Sequence, residues 1–172
     1  MINFSQARHL RDVPDIRVTD LRPATRTSSN GEEPTVVVAL DLGQRRIGVA
    51  ATDPLGIAVH PIGAVGRRSE AEDLAALRAL IVERGAGRVI AGLPLNLNGS
   101  EGPAARSARR FAARLSQALE LPVEMHDERL TTFEARERLK CGPGTRARRR
   151  ARVDCLAAVI ILESWLAFRA RN

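Results

Sequence analysis

The chain has 172 residues and a mass of 18.7 kDa; 44% of its residues are hydrophobic, 27% are charged, and the formal net charge is +7. This length allows one domain with a sizeable core, and the positive charge favours a polyanionic partner such as nucleic acid. The composition excludes a disulfide scaffold, because there are two cysteines, and a transmembrane helix, because no run of 18 apolar residues exists. Since no apolar signal segment begins the sequence, we expect a cytoplasmic protein with no membrane partner.

Residues 1–35 differ from the rest of the chain. They contain five arginines and five acidic residues, and their apolar residues follow neither a strand nor a helix period. We therefore expect a mobile N-terminal arm or linker, the alternative being that part of it docks on the domain. The excess of basic residues then belongs to residues 36–172, the expected folded domain.

The first half of this domain predicts three strands. Residues 35–42 (TVVVALDL) form a β-branched apolar run, residues 46–52 follow a tight turn at residues 43–45, and residues 57–65 form a third stretch. Pro61 within this third stretch favours an irregular or edge strand, because proline has no N–H to donate. The short links between the strands predict an antiparallel meander.

Helices and strands alternate after the meander. A capping box at Ser69–Glu72 begins a helix to about residue 84, and a short buried strand covers residues 88–91. Residues 93–100 predict a loop, 103–119 a helix, 121–126 a strand, 131–140 a helix, 141–150 a Gly/Pro/Arg loop and 151–169 a final helix. This order predicts an α/β protein of the ribonuclease H-like fold, with a five-stranded mixed sheet flanked by helices.

Acidic residues at the ends of these elements are the candidates for chemistry. Asp41 lies near the end of the first strand beside a flexible turn, Asp127 and Glu128 end the fifth strand, and Asp154 lies in the first turn of the last helix. The alternative role for Asp41 is to cap its turn. The alternative for Asp154 is that its negative charge stabilises the helix through the helix dipole. Because neighbouring residues on a strand point to opposite faces, either Asp127 or Glu128 faces the site, but not both. Converging carboxylates would hold Mg²⁺ or Mn²⁺ across a phosphate.

Four segments together resemble the YqgF family, also called RuvX, over residues 36–168. They are DLGQRRIGVAATD (41–53), GLPLNLNGSEGP (92–103), DERLTTFEA (127–135) and VDCLAAVIILESWL (153–166). The resemblance implies a nuclease domain related to RuvC, of a family described both as Holliday junction resolvases and as pre-16S rRNA nucleases. It implies that Asp41, Glu128 and Asp154 are catalytic and hold the metal, with Asp127 as the alternative to Glu128.

Arginines near these acids are candidates for nucleic-acid binding. Arg45 and Arg46 follow Asp41 closely, and a basic run precedes Asp154; its candidate phosphate-binding residues are Arg146, Arg148, Arg149 and Arg150. The alternative for the basic run is a solvated charge cluster. Arginines at three- to four-residue spacing in 103–119 could form a further basic stripe or an ordinary solvated face.

The predicted function is a metal-dependent endonuclease that hydrolyses phosphodiester bonds, and we expect it to mature the 5′ end of pre-16S rRNA. One alternative is a Holliday junction resolvase, which would require a two-fold homodimer to make two symmetric cuts. Another is a ribosome-assembly factor that binds nucleic acid with weak or no cleavage. An actin-like ATPase is disfavoured because that class requires two such domains. The same carboxylates would serve RNA and DNA, so the residues alone do not choose the substrate.

Overall fold

The computed structural model describes residues 36–130 and 146–171, with side-chain surroundings for residues 36–129 and 155–171. The predicted N-terminal arm, the predicted helix at 131–140 and Cys141 lie outside the described residues. Within the described ranges, no helix is long and apolar enough to cross a membrane.

The described elements form one mixed sheet with helices on both faces. The strands are β1 (Val37–Leu42), β2 (Arg46–Thr52), β3 (Val59–Gly66), β4 (Arg88–Leu93) and β5 (Val123–Asp127). The helices are α1 (Glu70–Glu83), α2 (Pro103–Leu119) and α3 (Arg146–Arg169), and a short 3-10 turn covers Glu128–Leu130. Together they confirm the predicted ribonuclease H-like architecture.

The strand order in the sheet is β3-β2-β1-β4-β5. β1, β2 and β3 pair antiparallel, whereas β4 and β5 run parallel to β1. Short turns suffice for the antiparallel pairs, while the parallel strands need the α1 and α2 crossovers. Pro61 lies on the edge strand β3 as expected, and the β2–β3 register shifts between Val49 and Ala50, opposite it.

Alternation along the strands separates two cores. One face of the sheet packs against α1 and α2 through residues that include Val38, Leu40, Leu77, Phe111 and Leu115. The opposite face packs against α3, with core residues Val37, Ala39, Ala50, Ile90, Ala158, Val159, Ile161, Leu162 and Trp165. Since residues two apart on a strand share a face, this division fixes which strand-end side chains lie under α3.

The prediction for the start of the last helix is wrong. The sequence pattern predicts a loop over 141–150 and a helix from residue 151, but α3 begins at Arg146. The residues from Arg146 to Arg150 are alanine and arginine, both of which favour helix, and the helix-breaking Gly142, Pro143 and Gly144 come before them. The candidate arginines at 146, 148, 149 and 150 are therefore on the first turns of a helix and not on a loop.

Candidate active site

Asp41 lies near the carboxyl end of β1, on the face of the sheet that α3 covers. It is two residues after Ala39, which packs in the α3 core, and it pairs with Gly48 of β2. Burial raises the pKa of the Asp41 carboxyl above its ordinary range. In the described part of the chain, no donor or cation contacts this carboxylate to offset that burial.

The turn after Asp41 is held by backbone and arginine contacts. The Gly43 N–H donates to the backbone carbonyl of Asp41 at 3.0 Å, so the Asp41 side chain is not what closes the turn. A Cβ on Gly43 would lie 2.6 Å from the carbonyl oxygen of Arg46, which explains the glycine. Arg67 donates through Nη1 to the Gly43 carbonyl at 3.3 Å. The geometry therefore gives no support to the turn-capping alternative for Asp41.

Gly92 of β4 is the neighbour that separates Asp41 from Glu128. Extending the β1–β4 register by one residue beyond the Leu40–Ala91 pair places Asp41 beside Gly92. A Cβ on Gly92 would collide with Oε1 of Glu128 and would lie 2.7 Å from Cδ1 of Ile161. The Glu128 carboxylate thus lies over the β4 backbone next to α3, on the same face of the sheet as Asp41.

Asp127 points to the other face and is bound to Arg129. Its strand neighbour Val123, four residues earlier, packs against the α1–α2 core. The Asp127 carboxylate accepts from the Arg129 guanidinium at 2.7–3.1 Å and from the Arg129 backbone N–H at 2.9 Å. The side-chain bond from Arg129 holds the pKa of the Asp127 carboxyl below its ordinary range. Of the two adjacent acids, Glu128 is the one that shares a face with Asp41.

Asp154 is on α3, four residues before Ala158 and seven before Ile161, both of which pack against the sheet. In a helix, that spacing predicts the same side as these two residues for position 154. Its side chain lies outside the described residues. In the described ranges no three His, Cys, Asp or Glu side chains gather in an arrangement that could hold a metal ion.

The candidate nucleic-acid-binding arginines occupy two places. Arg45 and Arg46 are exposed at the β1–β2 turn, at the same end of the sheet as Asp41. Arg146, Arg148, Arg149 and Arg150 lie at the start of α3, in the part of the helix that precedes Asp154. The side chains of this second group are outside the described residues.

Three of the four arginines of α2 are bonded to other parts of the fold. Arg106 donates to the Glu101 carbonyl at 2.7 Å, and Arg109 bonds the Glu101 carboxylate at 2.5 Å. Arg114 forms an ion pair with Glu70 of α1. These contacts favour the solvated-face interpretation of this stripe over a nucleic-acid surface.

Sequence patterns missed the residues that support the site. Asp73 is buried at 3% exposure and accepts from Arg67 Nε and from the Arg68 N–H, each at 3.0 Å. His126 bonds the Ser164 hydroxyl of α3 at 2.9 Å, and burial lowers its pKa. The sequence offers one signal for this pair, which is the acidic residue Asp73 on an otherwise apolar helix face. Its partner Arg67 lies six residues earlier, and that spacing predicts no contact.

The sequence is similar to a known protein family and to named bacterial relatives. The family model described as "RuvX: Holliday junction resolvase" matches residues 35–168. The chain is 46% identical over 133 residues to a protein of Anaeromyxobacter dehalogenans named "Putative pre-16S rRNA nuclease", covering 77% of this chain and 97% of that protein. A relative of the same name from Synechococcus elongatus is 45% identical over 129 residues, covering 75% and 87%.

The chain belongs to the RuvX family. Membership in this nuclease family makes it a hydrolase of phosphodiester bonds. Among solved structures, Thermus thermophilus RuvC matches with a TM-score of 0.50 at 14% identity, covering 79% of this chain and 95% of that one. At that identity the likeness shows the shared ribonuclease H-like fold. Both the resemblance and the fold class predicted from the sequence are confirmed.

Proposed function

We propose that this RuvX protein is a metal-dependent endonuclease that matures the 5′ end of pre-16S rRNA. The observation that carries the proposal is the placement of Asp41 and Glu128 on one face of the sheet, at its carboxyl edge, with Gly92 between them. In open α/β sheets the carboxyl edge is where ligands bind. The choice of RNA is supported by relatives that share almost half of their residues with this chain and are named for pre-16S rRNA.

The donor chemistry fits a hard divalent cation. Carboxylate oxygens are the ligands that Mg²⁺ and Mn²⁺ prefer, and a cation would offset the burial that raises the pKa of Asp41. We assign Asp41, Glu128 and Asp154 as the residues that would hold it. When bound, the cation would supply charge stabilisation at the scissile phosphate.

The chain's own residues would bind and orient the substrate. Water attacks the phosphorus and gives up a proton, the P–O ester bond breaks, and the leaving oxygen takes up a proton. Arg45 and Arg46, exposed beside Asp41, would contact phosphate oxygens, as would Arg146, Arg148, Arg149 and Arg150 on the first turns of α3. Asp127 has a different role, since its carboxylate is engaged by Arg129.

A Holliday junction is the second candidate substrate. It is favoured by the description of the family model and by the shared fold with T. thermophilus RuvC, which also has a solved complex with Holliday junction substrate. Two symmetric cuts would require a two-fold dimer.

The experiment is parallel cleavage of a pre-16S 5′ leader RNA and a four-way DNA junction by the purified full chain, with Mg²⁺ and with Mn²⁺. The proposal expects a cut in the RNA that Asp41→Asn abolishes, and no paired cuts in the junction. Symmetric junction cleavage by a dimer, with the RNA left intact, would establish the resolvase alternative instead. Tight RNA binding without cleavage in either metal would favour the assembly-factor alternative.

A further inference from the structure

Leu97 is a large apolar side chain held in solvent at the edge of the sheet where Asp41 lies. It is 97% exposed, and the other exposed large apolar residues in the described ranges are Leu55, Ile57, Val82 and Phe168. These four lie at or just after the carboxyl ends of β2, α1 and α3, which are at the opposite edge of the sheet. Leu97 follows β4, whose carboxyl end lies beside the carboxyl ends of β1 and β5.

The loop that carries Leu97 is closed by hydrogen bonds among its own residues. Asn96 and Ser100 are joined by a backbone bond of 3.0 Å and a side-chain bond of 2.9 Å, and Gly99 N–H donates to the Asn96 carbonyl at 2.8 Å. The Asn98 carboxamide oxygen accepts from both the N–H and the hydroxyl of Ser100, at 3.0 and 2.6 Å. Gly99 supplies the positive φ of 85° that this turn needs. The loop thus places Leu97 at a fixed position rather than leaving it on a freely moving tip.

Arg129 joins this loop to Asp127, the residue before Glu128. Its Nη1 donates to the Leu97 carbonyl at 3.4 Å, while its Nε and Nη2 bond the Asp127 carboxylate. The Arg129 guanidinium also fits against Gly99, where a Cβ would lie 3.2 Å from Nη1. The backbone of Leu97 is therefore tied to Asp127, the residue that precedes Glu128.

We propose that Leu97 contacts an unstacked nucleotide of the substrate next to the scissile phosphate, so that the enzyme selects RNA with unpaired residues at the cut. This inference rests on the proposed function. A solitary exposed leucine is ordinary, but this one is on a hydrogen-bonded loop at the edge that holds the two acids and the exposed Arg45 and Arg46. The proposed substrate at that edge is a nucleic acid. Its phosphates are charged, so its bases are the part that an apolar side chain can contact.

Apolar side chains are known to insert beside unstacked bases, and unpaired RNA is what offers such bases. Aromatic residues make up 3% of this chain, and at the Asp41 edge the described residues expose no large aromatic side chain. Among the described residues at this edge, Leu97 is the exposed large apolar side chain that could make such a contact.

The test uses 2-aminopurine, whose emission rises when the base unstacks, at successive positions in an RNA duplex that continues into a single strand. Binding of the full chain is measured in EDTA, so that cleavage does not interfere, with a fully paired duplex as the second ligand. The variants are Leu97→Ala and the conservative Leu97→Phe, with Ile57→Ala as the matched control, since Ile57 is 77% exposed at the opposite edge.

We expect the wild type to raise emission at one or two positions at the junction of duplex and single strand. Leu97→Ala should abolish most of this rise and bind the tailed RNA roughly tenfold more weakly, because a leucine side chain that is buried on binding has been removed. Its affinity for the paired duplex should change little. Leu97→Phe and Ile57→Ala should behave as the wild type.

The inference is overturned if Leu97→Ala matches the wild type in emission and affinity, if the wild type produces no emission rise, or if both RNAs are weakened equally. A smaller sedimentation coefficient for Leu97→Ala than for wild type would also overturn it, because Leu97 would then join two copies of the chain. Failure of the proposed function has a different signature: Leu97-dependent unstacking would persist, while neither RNA nor junction would be cut in Mg²⁺ or Mn²⁺.

Discussion

The Glu128 carboxylate lies over the backbone of Gly92, in space that any side chain at residue 92 would occupy. Glu128 follows β5, while Gly92 is on the neighbouring β4, so a missing side chain on one strand makes room for an acid from the next. Since Gly92 is also the register neighbour of Asp41, the geometry of the two candidate ligands depends on this glycine.

Gly92→Ala should displace the Glu128 carboxylate and reduce activity out of proportion to stability. The added Cβ collides with Glu128 and lies 2.7 Å from Ile161 Cδ1, so overpacking should lower the free energy of unfolding by about 1–3 kcal/mol. Cleavage rate and the stabilisation by Mn²⁺ should both fall well beyond what partial unfolding explains. Gly66→Ala is the matched control, because a Cβ there meets nothing within 4 Å. Wild-type cleavage by a folded Gly92→Ala protein would contradict the placement of Glu128.

Asp73 and Arg67 should contribute to stability as one unit. The carboxylate of Asp73 is 3% exposed and bonds Arg67 at 3.0 Å, and the Arg67 guanidinium lies 4.9 Å from the centre of the Phe111 ring. Arg67→Ala removes the charged partner of the buried acid, which keeps the bond from the Arg68 N–H, and should cost about 3 kcal/mol in urea unfolding. The double variant with Asp73→Ala should be destabilised by less than the sum of the two single changes. Strict additivity would show that the two side chains act independently.

The arginines that begin α3 should contribute to the salt dependence of nucleic-acid binding. Replacing Arg146, Arg148, Arg149 and Arg150 by alanine should weaken binding and reduce the log–log salt slope by roughly 0.7–0.9 for each phosphate that is no longer neutralised. Because these residues are helical and alanine is a good helix former, the circular dichroism spectrum should be retained. Binding titrations across a salt series measure the slope. An unchanged slope and affinity would make this segment a solvated charge cluster.

Asp41 should make the stability of the metal-free protein depend on pH in a defined direction. Its pKa is raised by burial, so the folded state binds the proton more tightly than the unfolded state does. The resulting contribution to stability is present below the ordinary aspartate pKa and is lost as pH rises through the raised folded value. In EDTA, Asp41→Asn should therefore melt higher than the wild type at neutral pH, with the difference shrinking as pH falls. A wild type that melts above the variant at neutral pH in EDTA would contradict a buried carboxylate without a compensating partner.

Local sequence signals predict most of this fold. The β-branched run of β1, the capping box at Ser69 and Pro103 at the first turn of α2 each act within a few residues, so pattern and structure agree there. The prediction for the start of α3 is wrong, because the three helix-breaking residues at 142–144 extend the predicted loop too far into a helix-favouring Ala/Arg segment.

The candidate site was predictable in its residue types and less so in its geometry. Strand-end carboxylates mark Asp41 and the Asp127–Glu128 pair, but which of the two faces α3 depends on how β5 packs against both cores. The contacts Gly92–Glu128, Arg67–Asp73 and Arg129–Leu97 join residues from different elements or with no regular spacing. Such contacts arise from tertiary packing and leave no periodic signal in the sequence.

The assignment of Asp41 to a metal site is tested most directly by the cleavage of pre-16S leader RNA by Asp41→Asn, measured beside RNA binding and thermal melts with and without Mn²⁺. The substitution keeps the size of the side chain and removes one ligand charge, so cleavage should fall by roughly two orders of magnitude or more. RNA binding should hold, because the arginines make the phosphate contacts, and the stabilisation by Mn²⁺ expected for the wild type should shrink. Undiminished cleavage by Asp41→Asn would contradict the assignment.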